Sequence, residues 1–137
     1  FVFKIAWSFP INDGSRIGAR TGYEYFEEDK NCIYTIAQWF PRMAAYTDYA
    51  GWMHKQFLGT GEFTLEFGDY DVRLTVPDDH IVGATGVLQN AETVLTATQR
   101  ERLSKAEKET RKPVFIITAD EAKAAEKGKP KGKKTWA

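Results

Sequence analysis

Few residues in this sequence could act together as acids, bases, nucleophiles or metal ligands. The two histidines, His54 and His80, stand in unhelpful settings: His54 precedes Lys55-Gln56, and His80 follows Asp78-Asp79. Neither opens the His-Glu-x-x-His helix that places two imidazoles on one face around a zinc ion. Asp78, Asp79 and His80 carry ligand atoms, but successive residues at a strand end point in different directions, and Asp is common in turns. A solvated turn is expected there. Gly59-Thr60-Gly61 is too short to cradle a phosphate and leads toward a strand pattern rather than a helix, so it reads as a loop. Cys32 has no histidine near it in sequence and reads as a small core residue. The lysines between Lys127 and Lys134 are interrupted by Gly128, Pro130 and Gly132 with no aromatic among them, the pattern of a solvated loop. No complete catalytic constellation and no cofactor site is expected in this chain.

One polar residue stands out from an apolar row. Residues 32–40 alternate as a strand would, with Tyr34, Ile36 and Gln38 on one face and Ile33, Thr35, Ala37 and Trp39 on the other. Asp29-Lys30-Asn31 bounds this strand before it and Pro41 stops it. Gln38 then ends a largely apolar row, where its amide needs a partner in protein, water or ligand. Around it the chain is dense in rings. Nine aromatics fall between Gln38 and Tyr70, among them Trp39, Phe40, Tyr46, Tyr49 and Trp52, at spacings that fit neither a helix face nor a simple strand. They read chiefly as rings filling a core where the chain turns.

The elements that must position Gln38 are mostly strands. Phe1, Phe3, Ile5 and Trp7 alternate with Val2, Lys4, Ala6 and Ser8 up to Pro10, which predicts an opening strand, and Asn12-Asp13-Gly14 predicts a turn. Residues 15–22, with Gly18 and Gly22, show no clear period. In residues 62–76 the apolar parity switches: Phe63, Leu65 and Phe67 share one face, while Tyr70, Val72, Leu74 and Val76 share the other. The switch falls at Gly68-Asp69, as a bulge or tight turn would require. A strand from Ile81 to Leu88, containing Gly83 and Gly86, is expected next. After Leu95 the pattern becomes helical. Thr96-Ala97-Thr98-Gln99 fits a capping box for a charged helix over 99–110 with a weak Leu103/Ala106 stripe. Val114–Ile117 reads as a short strand, and Thr118 as the cap of a helix over 119–127 that stops at Gly128.

The chain has 137 residues and no formal net charge, so no global field recruits nucleic acid. The zero conceals an asymmetry. Residues 1–99 carry 7 basic and 13 acidic side chains, residues 100–137 carry 12 and 6. No apolar run is long enough to span a membrane. The single cysteine excludes an internal disulfide and leaves the compartment open. Both ends read as cut points within a longer pattern, with Lys134-Thr135-Trp136-Ala137 stopping as an apolar element begins. The fold expected is one partial, mainly β domain over 1–137, an antiparallel β-sandwich with a helical excursion at about 96–128.

The run Tyr34-Thr35-Ile36-Ala37-Gln38-Trp39-Phe40-Pro41-Arg42-Met43-Ala44-Ala45-Tyr46, followed by Asp48 and Gly51-Trp52, resembles the N-terminal domain of the aminopeptidase N family of zinc metallopeptidases, in its bacterial branch. Gly61-Glu62-Phe63, Phe67-Gly68-Asp69-Tyr70-Asp71-Val72, Thr75-Val76-Pro77 and Gly83-Ala84-Thr85-Gly86 continue the same pattern in order. Lys133-Lys134-Thr135-Trp136 resembles the start of the strand that leads into the catalytic domain. The resemblance implies a saddle-shaped antiparallel β domain, without zinc of its own, that covers one side of the cleft of a zinc-bearing catalytic domain. It implies that Gln38 reaches that cleft and helps hold the free amino terminus of a peptide substrate. A structural amide bonded to neighbouring backbone is the competing reading of Gln38. The implied partners are the protein's own catalytic domain and the substrate's amino end, and bacterial members of the branch are often exported, which points to the periplasm. A second reading, from the rings of Trp39 to Trp52, is a β-sandwich module that binds carbohydrate or a protein partner. Exposure of Trp39, Tyr49 and Trp52 as one patch is the feature that favours it.

Overall fold

The computed structural model describes residues 1–17, 21–56 and 64–137. Gly18, Phe57, Phe63 and the Gly59-Thr60-Gly61 loop lie outside them. Among the described residues helix and strand contribute comparably, each about 20%. Among the described residues every strand pairs antiparallel in a two-stranded sheet and no barrel closes. The chain divides into two compact units, Phe1–Asp69 and Tyr70–Ala137. The division falls at the point where the apolar parity switches, so Gly68-Asp69 separates two units rather than bending one strand.

The first unit is built on a hairpin. Strand β1, Gly22–Phe26, pairs with β2, Asn31–Thr35, in the register Gly22↔Thr35 to Phe26↔Asn31. The cross-strand pair Tyr23/Tyr34 has ring centroids 6.4 Å apart, the kind of contact that stabilises a ladder. Lys30 takes φ 51° to close the turn. Strand β2 starts at Asn31, one residue before the expected start at Cys32, but ends at Thr35, five residues short of the expected end at Phe40. The opening alternation of Phe1 to Phe9 forms no strand: these residues are exposed and lie outside every ladder among the described residues. Alternation prepares two faces, but a strand also needs an edge to bond.

The Asn12-Asp13-Gly14 turn is present and starts a single-turn helix, α1, Gly14–Ile17. Asp13 Oδ1 accepts from Ser15 N at 3.0 Å and from Ser15 Oγ at 2.6 Å, and Arg16 Nε lies 3.1 Å from Asp13 Oδ2. Those bonds, the Ser15 hydroxyl foremost, hold the Asp13 carboxyl below its ordinary pKa. Gly22 (φ 142°) packs beneath this turn, where a Cβ would stand 2.6 Å from the Asn12 carbonyl oxygen. A second hairpin joins β3, Tyr46–Thr47, to β4, Gly51–Trp52, through Gly51 at φ 71°.

The second unit closes on a long-range ladder. Strand β5, Leu74–Pro77, pairs with β6, Lys133–Trp136, aligning Leu74 with Trp136. Thr75 and Thr135 hydroxyls meet at 2.8 Å. Helix α2, Ala91–Val94, packs against β6, and Val94, Leu95 and Trp136 form the buried cluster, flanked by Leu74, Val76, Val82, Leu88, Leu103 and Ile116. Each fully buried aliphatic side chain of this kind contributes about 1.5–3 kcal/mol.

The capping box read at Thr96 is formed, and the cap read at Thr118 proves to be a full capping box as well. Thr96 caps α3, Ala97–Ala106, with Gln99 as its reciprocal partner; Thr118 caps α4, Ala119–Glu126, with Glu121. Gly128 N bonds Ala125 O at 3.0 Å as the chain leaves α4. In this unit two further expected strands are absent among the described residues. Residues 81–88 and 114–117 have no ladder partner, although Val82, Leu88 and Ile116 still face the core. Their apolar content reports burial, which a packed loop satisfies as well as a strand. Among the described residues no helix is long and apolar enough to cross a membrane.

Candidate functional site

Gln38 sits just past β2 on a backbone that does not continue the strand. Its φ is 52°, in the left-handed region that non-glycine residues rarely enter. Lys30, the other described non-glycine residue there, serves a hairpin turn; Gln38 serves none. Its side chain is exposed and makes no hydrogen bond among the described residues. A left-handed residue of this type costs on the order of 1–3 kcal/mol and persists only where its surroundings over-determine it.

The surroundings do so from both sides. Before it, Ala37 N donates to Thr21 Oγ1 at 3.3 Å, while the Thr21 hydroxyl donates to Thr35 O at 3.1 Å. After it, Trp7 Nε1 donates to the Trp39 carbonyl at 2.9 Å. The Trp7 and Trp39 rings lie 6.3 Å apart, Trp39 meets Phe40 edge-on at 5.0 Å, and the Arg42 guanidinium lies 6.0 Å from the Phe40 centroid. Arg42 Nη2 also donates to Glu66 O at 3.0 Å, tying the Pro41-Arg42 end of the site to the segment after it.

A second exposed group of rings lies on the β3–β4 hairpin. Tyr46 and Trp52 meet edge-on at 5.2 Å, Trp52 is 54% exposed and Tyr49 is 83% exposed. The reading of the aromatics between Gln38 and Tyr70 as core filling is corrected: among the described ones only Trp39 and Phe40 are half-buried, and those of the β3–β4 hairpin are exposed because a two-residue strand pair offers too little sheet to pack against. His54 folds back on this hairpin, its Nδ1 2.9 Å from the Trp52 carbonyl.

No family model, curated protein or solved structure matches the chain.

The remaining candidates hold their elements together. Asp78 Oδ1 accepts from Lys131 N at 3.0 Å and Asp78 N donates to Gly132 O, latching the end of β5 to the start of β6. His80 Nδ1 lies 2.8 Å from Asp79 Oδ1 and its backbone closes a turn on Pro77. Among the described residues no three His, Cys, Asp or Glu side chains gather as a metal site. Cys32 is half-buried within β2. Lys133 and Lys134 belong to β6 rather than to a loop, and Lys134 Nζ stands 5.1 Å over the Trp136 ring. The Trp136 indole N–H is buried without an acceptor among the described residues.

Spacing gave no sign of the Trp7 and Thr21 contacts. They approach Gln38 from 31 and 17 positions upstream; Trp7 read only as one member of an alternating strand, and Thr21 lay in a stretch without period.

Proposed function

We propose that this chain is the non-catalytic N-terminal β domain of a zinc-dependent aminopeptidase of the aminopeptidase N type. In the intact enzyme its small antiparallel sheets form part of a β-sandwich that covers one side of the substrate cleft, and Gln38 meets the free amino terminus of the peptide. One observation carries this reading. The residue to which the sequence resemblance assigns substrate contact is also a strained, exposed non-glycine residue outside any turn, with a side-chain amide left available. Strain of this kind collects at binding and catalytic positions.

Among the described residues no three His, Cys, Asp or Glu side chains gather as a metal site, and the resemblance implies that the zinc lies in a separate catalytic domain. Zinc chemistry is therefore assigned to the proposed catalytic domain and no step is routed through this one. Gln38 presents one acceptor, its amide oxygen, to an ammonium group. In the intact enzyme Gln38→Ala should cost about 1.5–3 kcal/mol of amino-terminal anchoring, the range for a hydrogen bond to a charged group. Gln38→Glu should restore or improve it, since the bond becomes charge-assisted on both sides. The readout is kcat/KM on peptides with free and blocked amino termini. Equal losses on both would end the proposal.

The patch that would favour the second reading is only partly present: Tyr49 and Trp52 are exposed, with Tyr46 beside Trp52, while Trp39 is half-buried against Trp7 and Phe40, so a stacking surface for carbohydrate or a protein partner would rest on the β3–β4 hairpin alone. Titrating the chain with oligosaccharides while following tryptophan emission separates the two: saturable quenching lost in Trp52→Ala supports the platform, and no response removes its carbohydrate form.

A further inference from the structure

We propose that Trp7 is the positioning residue for Gln38. This rests on the reading of Gln38 as the group that meets the substrate's amino terminus, and it concerns what aims that group. The Gln38 side chain has no partner of its own among the described residues, so its direction is set by the backbone that carries it. That backbone is held at φ 52°, a basin that an L side chain leaves unless neighbouring peptides are fixed.

The peptide groups one step removed from Gln38, Ile36–Ala37 before it and Trp39–Phe40 after it, are both held, by different means. On the N-terminal side the hold is the Thr21 hydroxyl, which bridges Ala37 N and Thr35 O and so extends the β2 edge. On the C-terminal side no ladder continues, and the Trp39 carbonyl is held by the Trp7 indole N–H at 2.9 Å. The indole pair, 6.3 Å between centroids at 39°, adds a packing surface that keeps the donor in place. Trp7 is 48% exposed and is not part of the buried core. Its bond therefore governs local geometry at Gln38 much more than the stability of the unit.

The test uses the intact enzyme and Trp7→Phe, which keeps an aromatic ring but removes the donor. The quantity read is the ratio of kcat/KM on free over blocked amino termini. One neutral hydrogen bond of this type corresponds to a change of about two- to tenfold, so Trp7→Phe should lower the ratio within that range, chiefly through KM for the free substrate. Adding it to Gln38→Ala should lower the ratio no further, because the two residues act through one contact. A melting-temperature comparison checks that the variant is folded; Trp7→Met is a second donor-free variant should Phe repack poorly. If Gln38→Ala lowers the ratio while Trp7→Phe and Trp7→Met leave it unchanged, or depress both substrates equally, the assignment of Trp7 is overturned and the role of Gln38 stands. If Gln38→Ala itself leaves the ratio unchanged, both fall.

Discussion

The left-handed backbone at Gln38 makes a prediction in which stability and function move in opposite directions. Replacing Gln38 by Gly removes the Cβ that opposes φ 52°. The relief is about 1–2 kcal/mol, the usual penalty of the left-handed region for an L residue. Against it stands the greater freedom of glycine in the unfolded chain, about 0.4–1 kcal/mol. No side-chain hydrogen bond of Gln38 has to be given up among the described residues. The net expectation is neutral to about 1.5 kcal/mol stabilising by the same accounting, which is a rise of a few degrees in Tm for a domain of this size. Gln38→Ala keeps the strain and should be nearly neutral. Gln38→Val, whose branched Cβ tolerates this basin least, should be destabilised by more than 1 kcal/mol, an estimate from the same steric rule. Thermal and urea unfolding of the four proteins, read by circular dichroism, order them Gly, wild type, Ala, Val from most to least stable. The same Gly variant should lose amino-terminal anchoring in the intact enzyme. A Gly variant clearly less stable than wild type, or a Val variant equal to it, would refute the left-handed conformation and the argument built on it.

Two further expectations concern the scaffold. Glu121 accepts from Thr118 N at 2.8 Å and from Arg102 Nη1 at 2.6 Å, and these bonds, the Thr118 amide first, lower its pKa from the model-compound value of 4.5. Its contribution to stability is thus complete above pH 4.5 and is lost as pH falls through the lower folded value. Urea midpoints of wild type and Glu121→Gln should differ at pH 7 and converge near pH 2; a constant gap would show that ionisation plays no part. Gly22→Ala would place a methyl group 2.6 Å from the Asn12 carbonyl at a φ of 142°, costing about 2 kcal/mol or more through strain and clash. Amide exchange of the β1–β2 ladder should rise sharply in that variant, and unchanged protection would contradict the packing under the Asp13 turn.

Legibility in the sequence followed the range of the interaction. The helices capped by Thr96 and Thr118 were readable because a cap acts within four residues, at Thr96 as a whole box with Gln99; the reciprocal bond of Glu121 at Thr118 emerges only in the structure. The turn at Asn12-Asp13-Gly14 and the Asp29-Lys30-Asn31 boundary before β2 were local in the same sense, whereas strand β1 carried no signal that was read. The parity switch at Gly68-Asp69 was visible, but periodicity alone does not tell a bulge from a boundary between two units. The pairing of Leu74 with Trp136 was not visible, since neither short segment names its partner. Segments 1–9 and 81–88 carry strand-like content without a ladder, because alternation describes faces and not edges. Gln38 was found as an odd polar residue in an apolar row; its left-handed backbone was hidden, as nothing in Ala37-Gln38-Trp39 marks a residue that glycine would suit better.

The β5–β6 ladder has a consequence for the order in which the second unit assembles. Thr75 and Thr135 are 60 residues apart in sequence, so forming their pair closes a long loop whose entropy must be met before any ladder bond forms. Helices α3 and α4, with contacts mostly within a turn or two, can form on a microsecond scale. Collapse of Leu95, Leu103 and Ile116 around them shortens the effective distance between the strand ends, and the ladder then zips last. Substitutions in β6 should accordingly leave the refolding rate nearly unchanged and act almost entirely on the rate of unfolding. The latch from Asp78 to Lys131 and Gly132 becomes, in kinetic terms, the part of this unit that sets how long it stays folded.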